Sequence, residues 1–200
     1  SGSLFCDECG YNLRSPKDCP PIYYTRPRSY TPKFLVDKIL KTRRSIEGEL
    51  KIVTVLFADV VNSTLITESI EPDEVHRIMN DCFQILMEKI HKYEGTINQF
   101  SGDGIMALFG APIAHENHAQ RACYAALSIQ QAVKDYGKML RDDCGIEFEM
   151  RLGIDSGRVM VGAIGNDLRM DYTAGGHTTN LAKRLESIAE PGTVLVSENT

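Results

Sequence analysis

Two carboxylates in the 200-residue chain are placed for chemistry, Asp59 and Asp103. Asp59 follows the apolar run Ile52 to Ala58 within the stretch VTVLFADVVNST. A carboxylate at the end of so apolar a strand is costly unless something offsets its charge. Asp103 comes forty-four residues later, in Ser101-Gly102-Asp103-Gly104, between two short strand-like runs. If those strands are sheet neighbours, both carboxylates converge on one spot at the sheet edge and repel each other unless a cation neutralises them. Hard divalent ions such as Mg²⁺ take oxygen ligands of this kind and keep positions open for phosphate oxygens. The polar turn after Asp59, Asn62-Ser63-Thr64, then offers backbone N–H groups to those phosphates. Without further context an Asp in a turn is only a turn former.

The cysteines and histidines suggest other chemistry. Cys6-Asp-Glu-Cys9-Gly10 has the C-x-x-C-G form of a zinc knuckle, but with Cys19 the region supplies three thiolates where a structural zinc takes four. It reads as the second half of a zinc ribbon able to hold Zn²⁺ in a fuller chain; a disordered tail with free thiols is the alternative. Cys82 and Cys123 fall on apolar helix faces and are expected to be small buried hydrophobes. Cys144 sits in a polar turn and has no assigned role. No disulfide framework is expected in a chain of this size, and reduced thiols suggest a cytoplasmic protein. His115 and His118 have metal-pair spacing, but they lie beside a helix start without a suitable acidic partner and are expected at the surface. His177 is expected to be a partly exposed helix-cap residue.

The elements that must position these groups follow from periodicity. Ser1-Gly2-Ser3 resembles a cloning scar, and residues 10–32, rich in Pro, Tyr, Arg and Ser, read as a linker. Residues 33–48 form an amphipathic lead-in, with a helix over Phe34 to Ile46, and residues 49–200 form the main domain. Ile52 to Ala58 is apolar on both faces, as a central strand requires. Pro72 to Glu94 and Glu116 to Leu140 show helical spacing of apolar residues. Thr96 to Phe100 and Ile105 to Phe109 pair as a hairpin. Glu147 to Ile154 and Arg158 to Ile164 are expected to form a second hairpin, turning at Asp155-Ser156-Gly157. Arg169 to Thr173 is a brief strand, Thr178 to Ala189 a helix and Thr193 to Ser197 a last strand. The order fits an α+β protein, an α/β sandwich with helices on a mostly antiparallel sheet.

Composition narrows the partners. An apolar content of 42% suffices for a real core. No apolar run approaches the roughly 20 residues that span a bilayer, so no membrane partner is expected. A net charge of -5 without a basic stripe argues against nucleic acid.

From about Lys51 onward the chain resembles the catalytic domain of class III nucleotidyl cyclases, the adenylyl and guanylyl cyclases. The residues carrying the likeness are VTVLFADVVNST, FSGDGIMALFGAP, MRLGIDSGRVMVG and DYTAGGHTTNLAKRLE, in the family's order and spacing, over roughly three quarters of the chain. The resemblance implies a ferredoxin-like sandwich and a homodimer whose ribose 3′-hydroxyl attack on the α-phosphate expels pyrophosphate. It assigns Asp59, Asp103 and the carbonyl of Val60 to two Mg²⁺ or Mn²⁺ ions per site. Asn62, Ser63 and Thr64 would line the phosphates. Asn180 would orient the ribose and Arg184 neutralise charge on phosphate, while Arg151 matches a position that holds the triphosphate in some members. Base reading falls to Thr173, as in the bicarbonate-responsive soluble and bacterial adenylyl cyclases, and to Gln99, where relatives have lysine. A glutamine amide can donate to adenine N1 and accept from its exocyclic amine. The implied activity is ATP to 3′,5′-cyclic AMP and pyrophosphate. The alternatives are a nucleotide-binding regulatory module without turnover, supported by Gln99, and a guanylyl cyclase, which would prefer an acidic residue that neither Gln99 nor Thr173 supplies.

Overall fold

In the computed structural model, which describes residues 30–42, 49–163, 170–172 and 176–200, the apolar run around Val53 becomes strand β1 (Glu49–Val60). Its alternate residues serve two layers. Val53, Val55 and Phe57 belong to one buried cluster, and Leu56, Ala58 and Val60 to a larger one on the other face. Burial on both faces is why the strand reads as an almost unbroken apolar run. The strand extends past the apolar stretch, and Asp59 is its penultimate residue.

After β1 the chain enters a short helix, α2 (Ser63–Ser69), through Asn62 in the left-handed region. The expected polar turn is therefore a helix entry. Asn can adopt that conformation because its short polar side chain tolerates it. Helix α3 (Pro72–Lys92) begins with Pro, carries Asp73 and Glu74 in its first turn, and has Lys89, His91 and Lys92 in its last. The proline suits the first turn, and the two acids and two lysines suit the helix dipole. Strands β2 (Thr96–Ser101) and β3 (Gly104–Phe109) form the expected hairpin, and α4 (His118–Cys144) covers the same sheet face as α3. The lead-in helix is α1 (Lys33–Thr42); the remainder of the expected helix, residues 43–48, lies outside the described residues, as do Cys6, Cys9 and Cys19.

The second hairpin does not form. Residues Met150 to Ala163 are one strand, β4, antiparallel to β1 over twelve registered pairs from Glu49↔Val161 to Val60↔Met150. Asp155 and Ser156 are buried within it. Ser197 Oγ donates to Asp155 Oδ1 at 2.5 Å, and the Ser156 and Thr54 hydroxyls lie 2.7 Å apart. These polar residues mimic a turn in sequence but are satisfied from across the sheet, so the strand runs through them. Strands β5 (Met170–Tyr172) and β6 (Val194–Val196) add to β4 at its two ends, β6 in parallel, and helix α5 (His177–Ile188) joins them. The sheet order β2-β3-β1-β4-β5, with β6 beside β4, contains the β-α-β-β-α-β arrangement of ferredoxin-like sandwiches. No helix among the described residues is long and apolar enough to cross a membrane.

Cys82 is buried as expected, Cys123 is only half-buried against the core, and Cys144 is exposed. His115 and His118 are not surface residues. His115 Nε2 lies 2.8 Å from Glu94 Oε2, an acidic partner not expected from the sequence, and His118 Nδ1 lies 2.7 Å from Thr54 Oγ1. Each ring is drawn inward by its own partner.

One further histidine predicts a pH response. His91 is buried at the end of α3, its Nε2 has no hydrogen-bond partner, and burial lowers its pKa from 6.5 to about 4. Between those values the unfolded chain binds a proton that the folded chain does not. Stability therefore falls as pH drops from 6.5 to about 4, by on the order of 2–3 kcal/mol. Thermal melts of the wild type and His91→Leu between pH 7.5 and 4.5 should diverge accordingly. Parallel pH dependence in the two would rule this out.

Candidate active site

The carboxylates predicted to converge do so because their strands are neighbours. β1 pairs with β3 in the register Asp59↔Gly104, which sets Asp103 at the hairpin turn beside Asp59. The approach is close. A Cβ on Gly104 would stand 2.7 Å from Asp59 Oδ1 and 2.7 Å from the Ala58 carbonyl, so only glycine fits beside the carboxylate. Ser63, at the start of α2, donates a hydrogen bond from Oγ to Asp103 Oδ2. The turn segment thus touches the site through a side chain as well as lying next to it.

The electrostatics are those of a site short of positive charge. Desolvation, then the charges of Asp103 and Glu186, hold the Asp59 carboxyl above the usual carboxylate range, and Lys183 and Arg151 pull it only part of the way back. A divalent cation between the two carboxylates would relieve that repulsion. Among the described residues no three His, Cys, Asp or Glu side chains form a ready metal cage. Two carboxylates fit an ion that keeps several waters and completes its shell with substrate phosphates. Val60 buries its side chain in the α3–α4 layer, which leaves only its backbone for the site.

The other candidate residues separate into two sets. Arg151 on β4, registered opposite Asp59, donates from Nη2 to Asp59 Oδ2 at 3.3 Å and from Nε to Glu186 Oε1 at 2.9 Å. Gln99 is exposed on β2 opposite Met106, which in turn pairs with Phe57, two residues before Asp59. Register therefore places Gln99 on the Asp59 face of the sheet. Asn180 and Arg184 are exposed one turn apart on α5, and no hydrogen bond or ion pair joins either to the carboxylates. Asn62 and Thr64 are exposed around the start of α2, and His177 is the exposed first residue of α5. Thr173 lies outside the described residues.

Two residues near Asp59 were missed in the sequence, Glu186 and Lys183. Lys183 Nζ lies 2.5 Å from Glu186 Oε2 and 5.6 Å from the Phe57 ring centroid. Their i, i+3 spacing in NLAKRLE was a usable signal for the pair, but not for its position against β1.

A ferredoxin-like sheet with one aspartate at a strand end and a second in the adjacent hairpin turn, and an exposed Asn and Arg four residues apart on a separate helix, fits a domain of the nucleotidyl cyclase class. The family model for the adenylate and guanylate cyclase catalytic domain matches residues 47–200, and the chain belongs to that family. It is 35% identical over 164 residues to adenylate cyclase 1 of Rhizobium meliloti (strain 1021), covering 80% of this chain and 24% of that protein. This chain thus spans about a quarter of that relative. Among solved structures, the adenylyl cyclase CyaB from P. aeruginosa is 33% identical with a TM-score of 0.70, covering 76% of this chain and 80% of that one. The guanylyl cyclase Cya2 is also 33% identical, with a TM-score of 0.69 and coverage of 76% and 77%.

Proposed function

We propose that this domain is an adenylyl cyclase, converting ATP to 3′,5′-cyclic AMP and pyrophosphate at a homodimer interface with two Mg²⁺ or Mn²⁺ ions per site. The observation that carries the reading is the convergence of Asp59 and Asp103, with Asn180 and Arg184 exposed and unpaired with them on α5. Such an arrangement suits two half-sites that a second copy completes. Bound divalent cations would stabilise the attacking and the leaving oxygens together. Asp59 and Asp103, with the Val60 carbonyl, would hold them. The ribose O3′ forms a bond to the α-phosphorus, the bond to the pyrophosphate oxygen breaks, and the hydroxyl proton leaves to solvent. Asn180 orients the ribose, and Arg184 neutralises the charge that develops on phosphate. Incubation with ATP or GTP plus Mn²⁺, followed by chromatography for cyclic products, tests the activity. Nucleotide binding without any cyclic product would favour a regulatory module instead.

Guanylyl cyclase activity is the second reading, favoured by the equal likeness to Cya2. Gln99 and Thr173, as the base readers, predict faster cyclisation of ATP than of GTP, because a hydrogen-bonding site rejects a base that leaves its polar groups unpaired. Gln99→Lys should hold or raise ATP turnover. Equal rates with both nucleotides would show that these residues are not the selectors.

A further inference from the structure

Glu186 has no part in the chemistry above, yet its side chain is 0% exposed. A fully buried carboxylate needs close cations and hydrogen bonds to be tolerated. It has Arg151 Nε at 2.9 Å and Lys183 Nζ at 2.5 Å. Its backbone is also closely packed. A Cβ on Gly153 would stand 2.1 Å from the Glu186 nitrogen and 2.3 Å from the Ala182 carbonyl, so α5 is pressed against β4 at this point. Arg151 is thereby held by its Nε on a fixed anchor. Its other end is held more loosely, with Nη2 3.3 Å from Asp59 Oδ2 and Nη1 3.4 Å from the Ser187 carbonyl.

We infer that Glu186 is a positioning residue that keeps Arg151 anchored while its Nη2 exchanges Asp59 for the triphosphate of the incoming nucleotide. The inference rests on the reading of Asp59 as a metal ligand. The guanidinium and a divalent cation compete for Asp59 Oδ2, because like charges that close repel. Before nucleotide arrives, Arg151 occupies the carboxylate and weakens metal binding. Once phosphates are present they accept Nη2, Asp59 is released to the metal, and Glu186 prevents the arginine from leaving the site. Metal and nucleotide binding thereby become mutually reinforcing, each displacing the contact that opposes the other.

The test is Mn²⁺ titration of the full chain by calorimetry, first alone and then with 2′,3′-dideoxy-ATP, which has no 3′-hydroxyl to react. Arg151→Met should bind Mn²⁺ alone about two- to fivefold more tightly, the scale of a partly exposed ion pair. The same variant should bind the Mn²⁺-loaded analogue about tenfold more weakly, since a hydrogen bond to a charged group is lost. Glu186→Gln should bind Mn²⁺ alone more weakly, because Asp59 is then the carboxylate left to Arg151, and that loss should vanish in the Arg151→Met background. Should Glu186→Gln fail to fold, the opposed responses of Arg151→Met still carry the test. Unchanged or weaker Mn²⁺ binding by Arg151→Met would overturn the inference. Asp59→Asn in the same titration separates the two ideas. If it binds Mn²⁺ like the wild type, the metal assignment and this inference fall together. If it loses Mn²⁺ while Arg151→Met gains nothing, only the exchange is wrong.

Discussion

Asp59→Asn and Asp103→Asn should each lower ATP cyclisation by roughly 10³-fold or more, the scale on which removing a single transition-state contact acts. Each substitution removes half of the anionic charge that would hold the cations, and an amide oxygen is a poor replacement ligand. The fold should survive. Burial and the neighbouring charges of Asp103 and Glu186 raise the Asp59 pKa in the folded chain, so above that pKa the ionised carboxylate costs stability. Replacing it with the neutral isostere should leave the melting temperature at pH 7 unchanged or higher. A loss of activity together with an undiminished melting temperature therefore identifies a chemical role and excludes an unfolding artefact. Wild-type turnover in either variant at saturating Mn²⁺ would sink the two-metal reading.

The second large effect is restoration of activity by mixing two dead proteins. Asp59 on β1 and Asp103 in the β2–β3 turn lie together at the sheet edge, whereas Asn180 and Arg184 are exposed on α5 with no hydrogen bond or ion pair to them. If the sets meet only across a two-fold axis, both sites of a dimer are built alike and each needs both chains. Asp59→Ala and Arg184→Ala should each be inactive alone. Mixed in equal amounts with free exchange, about half the dimers are hybrids, each with one site carrying both lesions and one carrying neither. Activity should return to roughly a quarter of wild type, provided that each site acts independently. Specific activity of the wild type should also fall on dilution as dimers separate. If the mixture stays inactive while exchange is demonstrated by a fluorescent pair, both sets act within one chain and the shared-site reading is wrong.

Much of the scaffold was legible because its signals are local and periodic. β1 announced itself as an apolar run, since a strand covered on both faces has no polar alternation to show. α3 and α4 announced themselves through apolar residues at helical spacing, and the β2–β3 hairpin through glycines around Asp103. The family motifs carried the pairing of Asp59 with Asp103, and the strand register places them accordingly.

The errors share one cause. Asp155-Ser156-Gly157 has the composition of a turn, and in isolation its polar groups would seek water. Their partners, Ser197 and Thr54, are 42 and 102 residues away in sequence and arrive only when β4 is in the sheet. His115 looked exposed until the α3–β2 connection brought Glu94 to it. Glu186 showed nothing in sequence beyond a pairing with Lys183, because the cation that ties it to Asp59, Arg151, lies 35 residues away on another element. Sequence by itself determined most of the elements, the family and the candidate site residues, because those depend on residue type and short spacing. Only the tertiary structure decided which buried charges face one another, because the energy of a buried polar group depends on partners that the chain supplies from far along its length.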